Sequence, residues 1–256
     1  MKIGLFDSGI GGIAVLKKLI EKFPKFDYLY LADTKRAPFG TKRYEDLKKI
    51  VRDDIEILQS FGANLIVAAC NTADSVATDM NISIPYISII DSGVDMIKKE
   101  KIGIIATEAT VKLGSYAKRL KGKRVVQRSL QNLVSIVEKN MNDKDLIKSV
   151  LKRALDDEIF KCDEVILGCT HFSLISDTFK EVLKTRVLDP SDRIVEKLTA
   201  YDESGSGEIE ILVTSDLDSF RKKVQKFGIL SDVNLKYRQV DIDEKSHSNI
   251  RIVGIR

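Results

Sequence analysis

Asn64-Leu65-Ile66-Val67-Ala68-Ala69-Cys70 runs straight into Asn71-Thr72, and Glu164-Val165-Ile166-Leu167-Gly168-Cys169 runs into Thr170-His171. Each stretch is an apolar run of strand length that ends on a small residue and a cysteine, followed by a polar pair suited to opening a helix. An apolar strand without polar alternation is what burial on both faces of a parallel sheet produces. The pattern occurs once in each half of the chain. It predicts an α/β protein of two pseudo-symmetric lobes with mostly parallel sheets.

The flanking sequence extends this reading. Residues 2–6 (KIGLF) form a first strand, Gly11 to Lys22 a helix with Ile13, Leu16, Leu19 and Ile20 at helical spacing, and DYLYLAD ending at Asp33 a second strand. A loop through Pro38-Phe39-Gly40 leads to a helix from Tyr44 to Phe61. Ile84 to Ile90 reads as a fourth strand. The second series comprises a strand at 101–107, a helix from about Thr110 to Leu120, the strand RVVQR, helix around Leu133 to Leu155, and a helix from Phe172 to Leu183. The Ser- and Gly-rich segment Asp202 to Gly207 reads as a linker, with a further strand after it. The expected lobes are residues 1–94 plus 206–256, and 95–205.

Composition narrows the functional classes. The chain has 256 residues, 31% charged, with a formal net charge of +4 from interspersed Lys and Glu. That is a folded chain with a solvated surface, and short basic runs such as Lys121-Gly122-Lys123-Arg124 carry no interleaved aromatics, so no nucleic-acid partner is expected. No apolar run approaches the roughly 20 residues of a membrane span, and MKIGLFDSG turns strand-like at once. A cytoplasmic location without membrane contact is the expectation. Three cysteines, Cys70, Cys162 and Cys169, are no disulfide framework in a reducing compartment.

Ligands of parallel α/β sheets bind at the carboxyl ends of strands, where Cys70 and Cys169 both fall. A thiol at a helix start feels the positive end of the helix dipole, which is expected to lower its pKa and make it a nucleophile or base. For one such cysteine, an inert buried hydrophobe is an equal alternative; two in matching settings favour function. Cys162 precedes its strand and reads as inert. With no C-x-x-C and no paired histidines, no metal is expected. Gly9, Gly11 and Ala14 also fit the dinucleotide fingerprint G-x-G-x-x-G/A, with Asp33 as the ribose-binding acid. Against that competing reading, Asp7 sets a carboxylate where a pyrophosphate would lie. The same glycines would let backbone N–H groups approach a small carboxylate ligand.

Phe6-Asp7-Ser8-Gly9-Ile10-Gly11-Gly12, Pro38-Phe39-Gly40-Thr41-Lys42, Ala69-Cys70-Asn71-Thr72-Ala73, Ile105-Ala106-Thr107-Glu108-Ala109-Thr110 and Leu167-Gly168-Cys169-Thr170-His171-Phe172 resemble the successive motifs of the glutamate racemase family. They stand in the family's order from the first strand to about residue 200. The resemblance implies a cofactor-independent isomerase of the aspartate/glutamate racemase superfamily, with its active site in a cleft between two lobes, supplying D-glutamate for bacterial peptidoglycan. It implies two catalytic cysteines, Cys70 and Cys169, on opposite faces of the substrate α-carbon, with Asp7 and His171 as their acid–base partners. Substrate contacts carried over are Asp7, Ser8, Phe39, Gly40, Asn71, Thr72, Thr170 and His171, with Thr107, Thr110 and Glu138 as further candidates. Glu138 reads equally as a solvent-facing helix residue, and the two threonines equally as helix caps. Family members commonly form homodimers, and some are linked to inhibition of DNA gyrase, which keeps a protein-binding role as an alternative.

The chain departs from the family pattern at four places. Phe39 replaces a tyrosine, Phe172-Ser173 replaces Tyr-Pro after His171, Asp91-Ser92 replaces Glu-Pro, and Asp74 replaces a serine. Asp74 reads either as a favourable first-turn charge or as a perturbation of Cys70 that keeps aspartate or another small acid open as substrate.

Overall fold

The computed structural model describes residues 1–77, 79–228, 230–231, 233–243 and 251–255. In chain order, β1 (Lys2–Asp7), α1 (Ile13–Lys22), β2 (Asp27–Ala32), α2 (Tyr44–Ser60), β3 (Leu65–Ala68), α3 (Asn71–Ala77), β4 (Tyr86–Ile87) and α4 (Ile89–Asp95) form the first series. The second series is β5 (Lys101–Ala106), α5 (Glu108–Leu113), β6 (Arg124–Ser129), α6 (Gln131–Asn140), α7 (Lys144–Ala154), α8 (Asp157–Phe160), β7 (Glu164–Gly168), α9 (Thr170–Ser173), α10 (Ser176–Leu183), β8 (Arg186–Leu188) and α11 (Pro190–Leu198). After it come β9 (Ile209–Val213), α12 (Leu217–Phe227), β10 (Lys236–Asp243) and β11 (Arg251–Ile255).

Two sheets result, and their topologies repeat. The larger runs β11-β10-β9-β2-β1-β3-β4 and the smaller β6-β5-β7-β8. Within the first, β2-β1-β3-β4 has the same parallel order, second-first-third-fourth, as the whole of the second. Cys70 follows the third strand of one series and Cys169 the third strand of the other. After the linker the chain returns to the first sheet: β9 pairs with β2 and β10 with β9, both parallel, and only β11 is antiparallel.

A single apolar cluster joins the sheets. It includes Leu5, Ile13, Leu16 and Leu19 from β1 and α1, Ile89 and Ile90 from α4, Ile104 and Ile166 from the second sheet, and Ile194 and Leu198 from α11. Each such fully buried aliphatic side chain contributes roughly 1.5–3 kcal/mol. The layer of α1, α4 and α11 therefore ties the lobes together on one side and fixes where their strand ends face each other. The outer faces are covered separately, by α2 on the large sheet and by α6, α7 and α10 on the small one.

Several element boundaries differ from expectation. The strand expected over Ile84 to Ile90 is only Tyr86–Ile87, because the Ser88 hydroxyl accepts from the Asp91 N–H and caps α4. The helix expected from Thr110 to Leu120 begins earlier and breaks at Gly114, whose φ of 62° ends α5. Helix around Leu133 to Leu155 divides into α6 and α7, where Asp143 caps the second piece, and the helix expected over Phe172 to Leu183 divides into α9 and α10.

Candidate active site

The carboxyl ends of both sheets converge on one small cavity. Its walls are Ser8 after β1, Pro38, Phe39 and Gly40 after β2, Cys70, Asn71 and Thr72 after β3, Thr107 after β5, Gln131 and Val134 at the start of α6, and Cys169, Thr170 and His171 after β7. The cavity volume is about 30 Å³, the share of about one water molecule. Cys70 and Cys169 are 5% and 6% exposed. A larger groove of about 350 Å³ beside α2, lined by residues such as Lys48, Arg52 and Met80, holds none of the strand-end chemistry.

The lobes touch around this cavity through side chains that only glycine admits. A Cβ on Gly11, in the turn between β1 and α1, would stand 2.4 Å from Thr170 Oγ1 and 2.7 Å from His171 Nδ1. Such contacts are far inside van der Waals range, so the backbone of one lobe approaches the Thr170-His171 segment of the other only because position 11 has no side chain.

The surroundings of the two thiols differ. Burial pushes the Cys70 thiol well above its ordinary value, and the neighbouring Asp7 charge pushes it further, against weaker lowering by the Ala73 and Ser8 N–H groups. The expected lowering by the helix dipole is thus overturned at Cys70. The helix there has only seven residues, and its N–H groups do not outweigh desolvation next to a carboxylate. Cys70 is held as a neutral thiol. Asp7, fully buried, accepts from the Gly9 N–H at 2.8 Å and the Thr170 hydroxyl at 3.0 Å; burial raises its pKa, opposed first by His171.

At the other thiol the partner is a cation. His171 Nδ1 lies 4.0 Å from Cys169 Sγ, and Nε2 lies 3.1 Å from Glu138 Oε1. Burial alone would lower the imidazole, but Cys169, Glu138 and Asp7 outweigh it and leave His171 pushed up to about 10. Glu138 is held down at about 2, chiefly by its bond to His171 and also by Lys223, against burial. One side therefore presents a buried thiol beside a carboxylate, and the other a buried thiol beside an imidazolium that is paired with Glu138.

Polar donors line the remaining wall. Asn71 is buried, its Oδ1 accepts from the Tyr116 hydroxyl at 2.6 Å, and its Nδ2 has no partner among the described residues. That amide is an uncommitted buried donor on a residue of the cavity wall. Thr72, Thr107 and Thr110 join hydroxyls at 2.8, 2.9 and 3.3 Å, and Thr107 also caps α5.

Of the residues singled out in the sequence, Ser8, Phe39, Gly40, Cys70, Asn71, Thr72, Thr107, Cys169, Thr170 and His171 line the cavity. Asp7, Thr110 and Glu138 do not; they bond residues that do. Cys162 sits in the outer core of the small sheet, its Sγ 3.2 Å from the Glu158 carbonyl. Asp33, the acid of the dinucleotide reading, is fully buried and bonded to Arg36 at 2.6 Å and Thr214 at 2.8 Å, leaving it no access to a ribose. Asp74 accepts from Tyr86, Ser88 and the Ile90 N–H at 2.7, 2.6 and 2.9 Å, so its carboxylate anchors β4 and α4. Gln131, Val134, Tyr116 and Lys223 belong to the site or its supports without a local sequence motif to single them out. Gln131 lies two residues beyond β6, so the strand-end rule reaches it; the others are set by long-range packing.

Comparison with known proteins agrees with this geometry. Residues 11–198 match the Asp/Glu/Hydantoin racemase family. The chain is 35% identical over 250 residues to a glutamate racemase of Persephonella marina, covering 92% of this chain and 96% of that one. Among solved structures, it resembles glutamate racemase isoform RacE1 from Bacillus anthracis with a TM-score of 0.84 and 27% identity, over 93% and 97% of the two chains. The glutamate racemase of Francisella tularensis, solved in complex with D-glutamate, gives 0.84 and 26% over 96% and 98%. With a match that runs from the glycine turn before α1 to the end of α11, the chain belongs to the Asp/Glu/Hydantoin racemase family.

Proposed function

We propose that this protein interconverts L- and D-glutamate by a two-base mechanism without a cofactor, and so supplies D-glutamate for peptidoglycan synthesis. The observation that carries this reading is the pairing of two buried thiols, Cys70 and Cys169, at equivalent strand ends of two sheets and on one cavity. In this reading residues 1–94 with 206–256 make up one lobe and 95–205 the other, and the cavity lies between them.

Cys169, as thiolate paired with the His171 cation, takes the α-proton of one enantiomer. Cys70, as neutral thiol, delivers a proton to the opposite face. The reverse reaction starts from the opposite protonation, with Asp7 receiving or orienting the Cys70 proton. The α-proton is weakly acidic, so the site must offset the developing carbanion charge. Asn71 Nδ2 and the hydroxyls of Ser8 and Thr72 suit a carboxylate, and the Phe39-Gly40 backbone closes over it.

The test is racemisation of purified protein without added cofactor, followed by chiral chromatography on a panel of L- and D-amino acids. Turnover of both glutamate enantiomers with solvent deuterium entering the α-position is expected. Preferred turnover of aspartate, or none of any amino acid, overturns the reading.

A further inference from the structure

We propose that Lys223 is a positioning residue for the reaction: it reaches from the opposite wall to hold Glu138 against His171, so the base side of the site is completed by the helix of the other lobe. Lys223 lies on α12, between β9 and β10 of the large sheet, whereas Glu138 lies on α6 after β6 of the small one.

The geometry is a chain of three charged groups. Lys223 Nζ donates to Glu138 Oε2 at 2.9 Å, while Glu138 Oε1 meets His171 Nε2 at 3.1 Å, and the other ring nitrogen faces Cys169. Each carboxylate oxygen thus has its own cationic partner, which fixes the plane of the carboxyl group as well as its position. One turn on, Lys226 donates to the Lys139 carbonyl at 3.2 Å. That carbonyl belongs to the last turn of α6, where carbonyls lack intrahelical partners and the dipole favours a cation. Two lysines three residues apart on one helix face therefore meet two successive residues of the facing helix.

An isolated exposed ion pair contributes little. Glu138 differs because it is only 29% exposed and its other oxygen holds a buried histidine. Without Lys223, the carboxyl group keeps one tether and can turn toward solvent, taking the Nε2 contact with it. Lys223 does not line the cavity, so its effect passes through Glu138 and not through substrate.

The kinetic part of this inference rests on the racemase reading; a spectroscopic part does not. The chain has two histidines, so a His247→Gln background leaves His171 as the single imidazole. Its Nε2–H proton resonance is expected to be exchange-protected in that background, lost or broadened in Lys223→Ala, and retained in Lys223→Arg. In turnover, Lys223→Ala is expected to lower kcat about fivefold with KM within about twofold, and Lys223→Arg to restore it. In a Glu138→Ala background, Lys223→Ala should add nothing, since both act through one contact. A resonance unchanged by Lys223→Ala, one absent from the parent, or an equal loss of kcat in the Glu138→Ala background overturns the proposal. Failure of the parent protein to racemise sinks the functional reading instead, and the imidazole resonance still decides the role of Lys223.

Discussion

Replacing Glu138 by Gln removes the negative charge from His171 Nε2 while keeping the shape of the side chain. His171 is held at about 10 against an ordinary 6.5, with the Glu138 hydrogen bond among the causes that raise it. A hydrogen bond between charged groups is worth about 1.5–3 kcal/mol, and partial exposure of Glu138 brings this toward the lower end. At about 1.4 kcal/mol per pH unit, the imidazole midpoint should fall by about one unit, to about 9. Lys223, left without its acceptor, pushes in the same direction. The assay is kcat/KM from neutral to alkaline pH, where the proposed mechanism requires activity to fall with loss of the imidazolium, with imidazole titration by NMR as a check. Stability should follow. Because the folded-state value of His171 lies above that of the unfolded chain, its stabilisation is fully present below about 6.5 and is lost as pH rises through about 10. The variant should lose part of it, so its melting temperature should drop most at neutral pH and converge with the parent in strong alkali. An alkaline limb that stays in place, or moves upward, refutes the assignment of Glu138 as the partner that keeps His171 charged.

Cys70→Ser and Cys169→Ser should each lower racemisation about 10³-fold or more, since in the proposed mechanism each removes the acid or base on one face; Cys162→Ser should leave turnover within about twofold, and wild-type rates in either of the first two variants contradict a two-thiol mechanism. Gly11→Ala should fold but lose about 10²-fold in kcat, because the new methyl group displaces Thr170 and His171 from the other lobe; a crystal structure with both side chains unmoved, or unchanged kcat, removes the steric argument. Tyr116→Phe strips the partner from Asn71 Oδ1 and lets the amide rotate, so KM should rise about tenfold while kcat changes less, consistent with ~1–3 kcal/mol for an unsatisfied buried group. An unchanged KM would mean that Asn71 is positioned by something else.

The local sequence was sufficient for much of this. Apolar strand runs ending in Ala69-Cys70 and Gly168-Cys169 are readable because both faces of a parallel strand are buried, and the thiols follow from the rule that chemistry sits at strand ends. Ser8, the Phe39-Gly40 turn and the Asn71-Thr72 and Thr170-His171 pairs are legible for the same reason. What local sequence could not weigh is desolvation. Cys70 and Cys169 have the same helix-start setting, but burial beside Asp7 keeps Cys70 neutral, while His171 and Glu138 build a cationic partner for Cys169. Local sequence also misjudges short elements such as β4, where one serine cap ends a strand that the apolar run would have continued.

Sequence by itself determined the strands, the strand-end cysteines and the doubled architecture, because periodicity and apolar runs are properties of neighbouring residues. Tertiary structure alone decided which groups meet. Lys223 and Glu138 are 85 residues apart, Asn71 and Tyr116 are 45 apart, and Gly11 meets Thr170 across the two sheets. Those contacts depend on how the shared layer of α1, α4 and α11 sets one sheet against the other, and no short stretch of residues contains that geometry.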